Sequence, residues 1–424
     1  MPCLMNVIAV AVIICRFAKE LSVQAQVNVQ DIDNAEQFAL LCRIYNVAKN
    51  PPIHHVDLQD PNKILEDIDS INASLAEEKQ FNETEQAENS SYAQAKLNTT
   101  REAFVAQALL NQITQKAHTI LEEIKRVNAT RDIETVKAEF AQVIFGEGGS
   151  ESNLCQATVN DMDNRSKACG KPGNEEKGES AGKNLVVDFF CLCSRRTDAD
   201  GVDQVCAVHV GGKGGHHGWS EKGPWGSSSM WATIKKGCGK LIHHHPKSIE
   251  EVQEVINDFL KHLEAGGLYR WGETVRNTFK GSNRKPGMLG TGARTESDER
   301  GKGILCDGKR GYTDKRTGQP PGGVCVYYGQ ESDWKNITWL KQLKTALDSL
   351  ATLNNQTATI QRDIEKLQRL LHRAEKIYET AKVISDIQNP AVPTNLQTAV
   401  KRLTAYNAAR SNQLRPFILL FVLI

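Results

Sequence analysis

The chain has no apolar stretch long enough to cross a bilayer. Its longest, Leu4–Cys15 (LMNVIAVAVIIC), is 12 residues that are apolar except for Asn6, whereas a spanning helix needs about 20. It also lacks an excess charge of either sign: 52 Lys and Arg stand against 51 Asp and Glu, a net of +1. That balance gives no argument for nucleic acid or for a charged membrane surface as a partner. Signatures of catalysis are missing too. Gly211–Gly218 (GGKGGHHG) has neither the G-x-x-x-x-G-K-[ST] spacing nor a Ser or Thr after its Lys to hold magnesium, so it reads as a flexible loop. His243, His244 and His245 are adjacent, and adjacent side chains on an extended segment point alternately, unlike ligands converging on a tetrahedral zinc. Neither H-x3-H nor H-E-x-x-H occurs, and no Ser/His/Asp arrangement or nucleophile elbow is visible. The basic residues between Arg276 and Arg316 are mixed with Gly, Asp and Glu and few aromatics, so base stacking has little support and an exposed, variable loop is expected.

The two ends carry sorting patterns. The apolar run near the start is followed by Val23-Gln24-Ala25, the small-residue pattern of a cleaved secretory signal, which predicts residues 1–25 to be removed. Pro416–Ile424 (PFILLFVLI) is nine apolar residues behind a polar spacer, Ala408–Arg415, that opens with small residues after Asn407. Small residue, spacer and tail together form the pattern that directs attachment of a glycosylphosphatidylinositol (GPI) lipid, with residues 408–424 discarded and 388–407 left as a short membrane-proximal segment.

Cysteines and sequons agree with that compartment. Beyond Cys3 and Cys15 the chain holds Cys42, Cys155, Cys169, Cys191, Cys193, Cys206, Cys238, Cys306 and Cys325. Eight of these lie in Cys155–Cys325, a density that reads as a disulfide framework in an oxidising compartment. Nine is odd, so one thiol is left free or pairs between chains; eight cysteines alone allow 105 pairings, so connectivity stays open. Cys191-Leu192-Cys193 is not the redox C-x-x-C spacing. Asn72, Asn82, Asn89, Asn98, Asn128, Asn164, Asn336 and Asn355 each begin N-x-S/T and are candidate N-glycosylation sites.

Two segments have helical periodicity. Ala106, Leu110, Ile113, Ala117, Ile120, Ile124 and Val127 advance in steps of three and four, and Ile133, Val136, Phe140 and Val143 continue the stripe, predicting a rod over 96–145 that glycine ends at Gly146. A second rod over 334–387 carries Leu340, Leu343, Leu347, Leu350, Leu353, Thr357, Ile360, Ile364, Leu367, Leu371, Ala374, Tyr378 and Ala381. Each would leave an apolar stripe in water, so the two are expected to pack antiparallel. Asp33–Ala48 predicts a shorter helix, Gln80–Ser91 a solvated connection, and Ser248-Ile249-Glu250-Glu251 a capping box opening a helix to about Ala265. Leu185–Cys193 (LVVDFFCLC) and Gly323–Tyr328 read as strands. The expected fold is therefore mainly α: a long antiparallel helical hairpin, or coiled coil, with a Cys-rich, loop-rich α+β lobe over 146–328 inserted at its turn.

This arrangement resembles the variant surface glycoproteins of trypanosomes, most closely the B-type amino-terminal domain, over residues 26–387. The resemblance is carried by the signal pattern, the early helix with Phe38, Leu41 and Cys42, the paired long helices, the Cys-rich middle, Val324-Cys325-Val326-Tyr327-Tyr328 ahead of Trp334, and the terminal lipidation signal. It implies a homodimer anchored in the outer leaflet of the plasma membrane through a GPI lipid, at Asn407 or alternatively at Ala408 or Ser411. It implies close packing with neighbouring coat molecules, host antibodies as the molecules evaded, and no catalysis, cofactor or nucleic acid. One departure stands out: no cysteine follows Cys325, which argues against the separate Cys-rich carboxyl-terminal domain of many members. The alternatives are a surface receptor for a host macromolecule on the same scaffold and a secreted metal-dependent enzyme using the His-rich middle.

Overall fold

The computed structural model describes residues 27–56, 59–84, 93–198, 200–211, 217–242, 244–273, 278–295, 303–311 and 322–388. In chain order the elements are α1 (Ala35–Lys49), α2 (Pro61–Thr84), α3 (Ala93–Ala129), α4 (Ile133–Phe145), α5 (Arg165–Cys169), β1 (Gly170–Lys171), β2 (Glu176–Lys177), α6 (Leu185–Cys193), β3 (Gly218–Ser220) and β4 (Gly223–Trp225). There follow α7 (Ser227–Leu241), α8 (Ile249–Ala265), β5 (Gly267–Glu273), β6 (Thr278–Lys285), β7 (Met288–Thr295), β8 (Gly323–Tyr327), α9 (Glu331–Trp334) and α10 (Thr338–Gln388). The protein is mainly α. β1–β2 and β3–β4 are small antiparallel pairs, and β6-β5-β7-β8 form a four-stranded sheet in which only β5 and β7 run parallel.

The chain divides into two compact units. The first comprises the described residues of Met1–His54 and of Asp132–Asn355. At its centre lies α6, in which all nine residues are buried. This is a correction: the run expected as a strand is a helix. Apart from Asp188 the run is apolar, so it has no period to separate the two, and a helix apolar on nearly every side is simply a buried one. Its start is set by Asn184, whose Oδ1 accepts from Val187 N at 2.9 Å while its Nδ2 donates to Thr158 O at 2.9 Å. Aromatic edges close around α6, with Phe38 and Trp231 at 5.7 and 5.9 Å from Phe189. Each such ring contributes about 1.5–3 kcal/mol by leaving water. Fully buried Asn34 ties α6 to β8, donating from Nδ2 to Leu192 O (2.9 Å) and Val324 O (2.8 Å). Strand β8 is buried throughout, as its unbroken Val-Cys-Val-Tyr run suggests.

The second unit comprises the described residues of His55–Arg131 and of Gln356–Ile424. Its core joins Ile64, Leu65, Ile68 and Leu75 of α2 to Ala106, Leu110, Ile113, Ala117, Leu121 and Ile124 of α3, and to Ile360, Ile364, Leu367 and Ala374 of α10. Two bonds run across α2 and α3, Gln107 Nε2 to Asn72 Oδ1 (2.7 Å) and His118 Nε2 to Asp69 Oδ1 (3.2 Å), an order that makes the pair antiparallel.

The rod expected over 96–145 is also corrected. It begins at Ala93 and stops at Ala129, and a new helix opens at Ile133. Asp132 causes the restart: its carboxylate accepts from Thr135 N (2.8 Å) and Thr135 Oγ1 (2.5 Å), the geometry of an N-cap. The seam passes through Leu121, with Ile120 only half-buried. The expected two-helix packing gains a third member, α2, whose last turn takes in Gln80–Thr84, expected as part of a connection.

Candidate functional site

Among the described residues no group of three or more His, Cys, Asp and Glu side chains could hold a metal ion. His243 and residues 212–216 of the glycine loop lie outside the described residues. His244 and His245 fasten the link between α7 and α8 to α1: Asn46 Nδ2 donates to His244 O at 3.0 Å, and Asn46 Oδ1 lies 2.8 Å from His245 Nδ1. His244 also meets Glu251 at 3.4 Å. Within Arg276–Arg316, residues 276–277, 296–302 and 312–316 lie outside the described residues as well.

What the first unit does contain is a set of staples. Cys42 pairs with Cys238, Cys169 with Cys191, Cys193 with Cys206 and Cys306 with Cys325. The ninth cysteine, Cys155, is exposed and free. Cys191 and Cys193 go to different partners because two residues along a helix turn the side chain by about 200°. The bonds sort into a long clip, closing 196 residues between α1 and α7, and three short ones of 13 to 22 residues around α6 and β8.

Two buried charges serve α6, one inside its first turn and one at its carboxyl end, and sequence reasoning missed both. Asp188 sits in its first turn, fully buried, and accepts from Gly182 N (2.8 Å), Tyr328 OH (2.7 Å) and Trp339 Nε1 (2.7 Å). Loss of water outweighs these donors and pushes its carboxyl up to about 6. Burial, with the neighbouring carboxylate, raises Tyr328 well above its ordinary value. At the other end Arg165 lies inside the fold. Its guanidinium donates to Ser194 O (2.7 Å), Cys191 O (2.9 Å) and Phe190 O (3.4 Å) and stacks 4.9 Å from the Trp219 ring. Burial, assisted by Arg196, lowers its pKa to about 9, with Asp307 and Asp198 opposing. An anion at the helix start and a cation on its last carbonyls both complement the helix dipole. Gly308, in the left-handed region at φ 80°, packs directly on the guanidinium, where a Cβ would collide with it. The available signal was composition: an Asp inside an otherwise apolar run needs donors.

Comparison with known families decides what this scaffold is. Residues 20–104 and 85–369 match the profile of the Trypanosomal VSG domain, in its B form. The chain belongs to that family. No curated protein matches it. The VSG domain makes this a trypanosome surface coat glycoprotein, of a family that associates with itself and with the membrane and is not known for catalysis. No helix of the described residues is long and apolar enough to cross a membrane.

On this VSG domain the sequon asparagines fall into distinct settings. Asn128, Asn164, Asn336 and Asn355 are exposed. Asn72 is half-buried and its Oδ1 is held by Gln107 across α2 and α3. Asn82 and Asn98 lie on α2 and α3. Asn89 and the candidate anchor Asn407 lie outside the described residues, as do residues 1–26 and 389–424 with their sorting patterns.

Proposed function

We propose that this protein is an N-glycosylated, GPI-anchored variant surface coat protein that shields the parasite plasma membrane from host antibodies and evades immunity by antigenic variation. The observation that carries the reading is the family match over most of the chain. The cysteine pattern supports it: four disulfides hold the buried interior, so exposed loops can change sequence without loss of fold. In this reading residues 1–25 are removed on secretion and 408–424 on transfer of Asn407 to the lipid. The mature chain forms homodimers that stand beside neighbouring coat molecules on the outer leaflet. Exposed Asn128, Asn164, Asn336 and Asn355 are the acceptors best placed to carry glycans.

The test is surface labelling of living cells followed by phosphatidylinositol-specific phospholipase C. The protein is expected to dominate the labelled material and to be released by the enzyme, with its carboxyl-terminal peptide ending at Asn407. A trace amount that stays with the cells after the enzyme treatment would overturn the reading.

A further inference from the structure

We propose that the exposed indole of Trp225 is a platform on which the first sugars of an N-glycan at Asn164 lie. The inference rests on the glycoprotein reading above and adds to it a contact that ties one glycan to the protein surface.

Asn164 is the N-cap of α5. Its Oδ1 accepts from Lys167 N (3.1 Å) and Ser166 Oγ (2.9 Å), while its Nδ2, the atom to which an N-glycan attaches, has no partner among the described residues. Attachment at Nδ2 leaves the amide carbonyl in place, so the cap survives glycosylation.

The next residue, Arg165, turns inward and stacks on Trp219 of β3. That strand pairs with β4 in the register Trp219↔Pro224 and Gly218↔Trp225. The second strand then lies against the chain just ahead of Asn164. A Cβ on Gly223 would stand 3.1 Å from Met162 O and 3.8 Å from Asp163 Cα. Trp225 follows two residues later, roughly 7 Å along the strand at about 3.3 Å per residue. The hairpin thus places an indole within reach of a disaccharide on Asn164.

Trp225 is 63% exposed, among the largest exposures of any apolar side chain described. Small apolar side chains on a surface need no explanation, but an indole carries one of the largest apolar areas of any residue. N-acetylglucosamine has a chemistry that fits it. One face of the pyranose ring presents a row of C–H groups, slightly positive and poorly hydrated, and the indole face is electron-rich. Stacking them removes both from water, and the amide and hydroxyl edges of the sugar stay solvated.

The full chain is expressed in a eukaryotic secretory host as wild type, Trp225→Ala, Ser166→Ala and the double variant. Ser166→Ala abolishes the sequon yet leaves the Asn164 cap. Glycopeptide mass spectrometry is expected to find Asn164 occupied in the wild type. Trp225→Ala is expected to lower Tm by a few degrees in the glycosylated protein and to leave it unchanged on the Ser166→Ala background. It is also expected to speed enzymatic release of the Asn164 glycan from the folded protein. An equal loss on both backgrounds, or a loss of dimer in place of a loss of Tm, would overturn the stacking and assign Trp225 to packing or to a second copy. An empty Asn164 with other sequons filled would overturn this inference alone; a protein with no occupied sequon would overturn the glycoprotein reading with it.

Discussion

Asp188 and Trp339 are 151 positions apart in the chain, and the indole nitrogen of one donates to the carboxylate of the other at 2.7 Å. Neither is exposed. With Tyr328 also bound to Asp188, one carboxylate joins α6, the residue after β8 and the first turn of α10. Removing it strands two buried side-chain donors and one backbone N–H, each costing about 1–3 kcal/mol when unpaired. Asp188→Ala is therefore expected to cost about 4 kcal/mol, and Trp339→Phe, which leaves the other two bonds intact, about 1–2 kcal/mol. Denaturant unfolding of the disulfide-intact protein measures both. Equal losses would mean that ring volume, and not the shared carboxylate, holds this junction.

The same carboxylate sets a pH dependence. Its pKa is near 6 in the fold against an ordinary 3.8. The folded state therefore holds the proton more tightly than the unfolded chain, and stability rises as pH falls from about 7 towards 4. A shift of about two units corresponds to roughly 3 kcal/mol at most. His262, raised by its bond to Glu36, adds a trend of the same sign, because its charged form is favoured below its folded pKa. That trend is common to wild type and Asp188→Asn, so the difference between the two proteins isolates Asp188. The gap is expected to widen in favour of wild type between pH 7 and pH 4. A gap that stays constant would refute the assignment.

The sequence displayed those parts of the fold in which a repeating environment repeats in the residues. Leu340, Leu343, Leu347 and Leu350 face one core and are all buried, and steps of three and four follow directly. Ser248 accepts from Glu251 N, as a cap read from four letters should. Leu185–Cys193 is apolar except for Asp188 because it is surrounded, and a surrounded segment has no period to read. The restart at Asp132 was visible only as a single Asp ahead of Thr135. Helix α2 escaped because its stripe of Ile64, Ile68 and Leu75 is sparse among polar residues. Disulfide pairing depends on which elements meet in space, which spacing along the chain does not record. Nothing around Asn164 in sequence pointed to Trp225, 61 positions on; the hairpin that sets Gly223 against Met162 is not recorded there.

Cysteine chemistry gives a third expectation. Titration of the native, mature protein with a thiol reagent should label Cys155 alone, because the other eight are in disulfides. In the chain-entropy account a loop of 196 residues contributes about 5 kcal/mol and one of 13 about 3 kcal/mol. Replacing Cys42 and Cys238 together by Ser should cost more than replacing Cys193 and Cys206. The reverse order in melting experiments would place the stabilisation in local packing around α6.

Arg165 supports a fourth. Among the described residues it has no carboxylate in hydrogen-bond contact; its partners there are three carbonyls and one indole face. Arg165→Met keeps the bulk but leaves the end of α6 without donors, an expected loss of about 3 kcal/mol or more. Arg165→Lys restores a donor but not the planar fork or the flat stack, so an intermediate loss is expected. Were Arg165→Met as stable as wild type, the buried cation would be dispensable and α6 would be held by its apolar surface alone.

The seam of the second unit offers the sharpest comparison, because two adjacent residues of similar size differ in burial. Leu121 is 5% exposed within the core formed by α2, α3 and α10, whereas Ile120 is only half-buried at its margin. Truncating a buried Leu removes its transfer energy and leaves a cavity, about 2–5 kcal/mol together, and a half-buried Ile can be backed by water that fills the space. Leu121→Ala should therefore lower stability by at least about 2 kcal/mol and Ile120→Ala by about half as much or less. Both leave α3 equally helical, since alanine favours the helix in either case. If Ile120→Ala proved the more damaging, the apolar stripe would have to rotate by one position, about 100° around α3. Ile120, and not Leu121, would then belong to the core that includes Ile64 and Ile364.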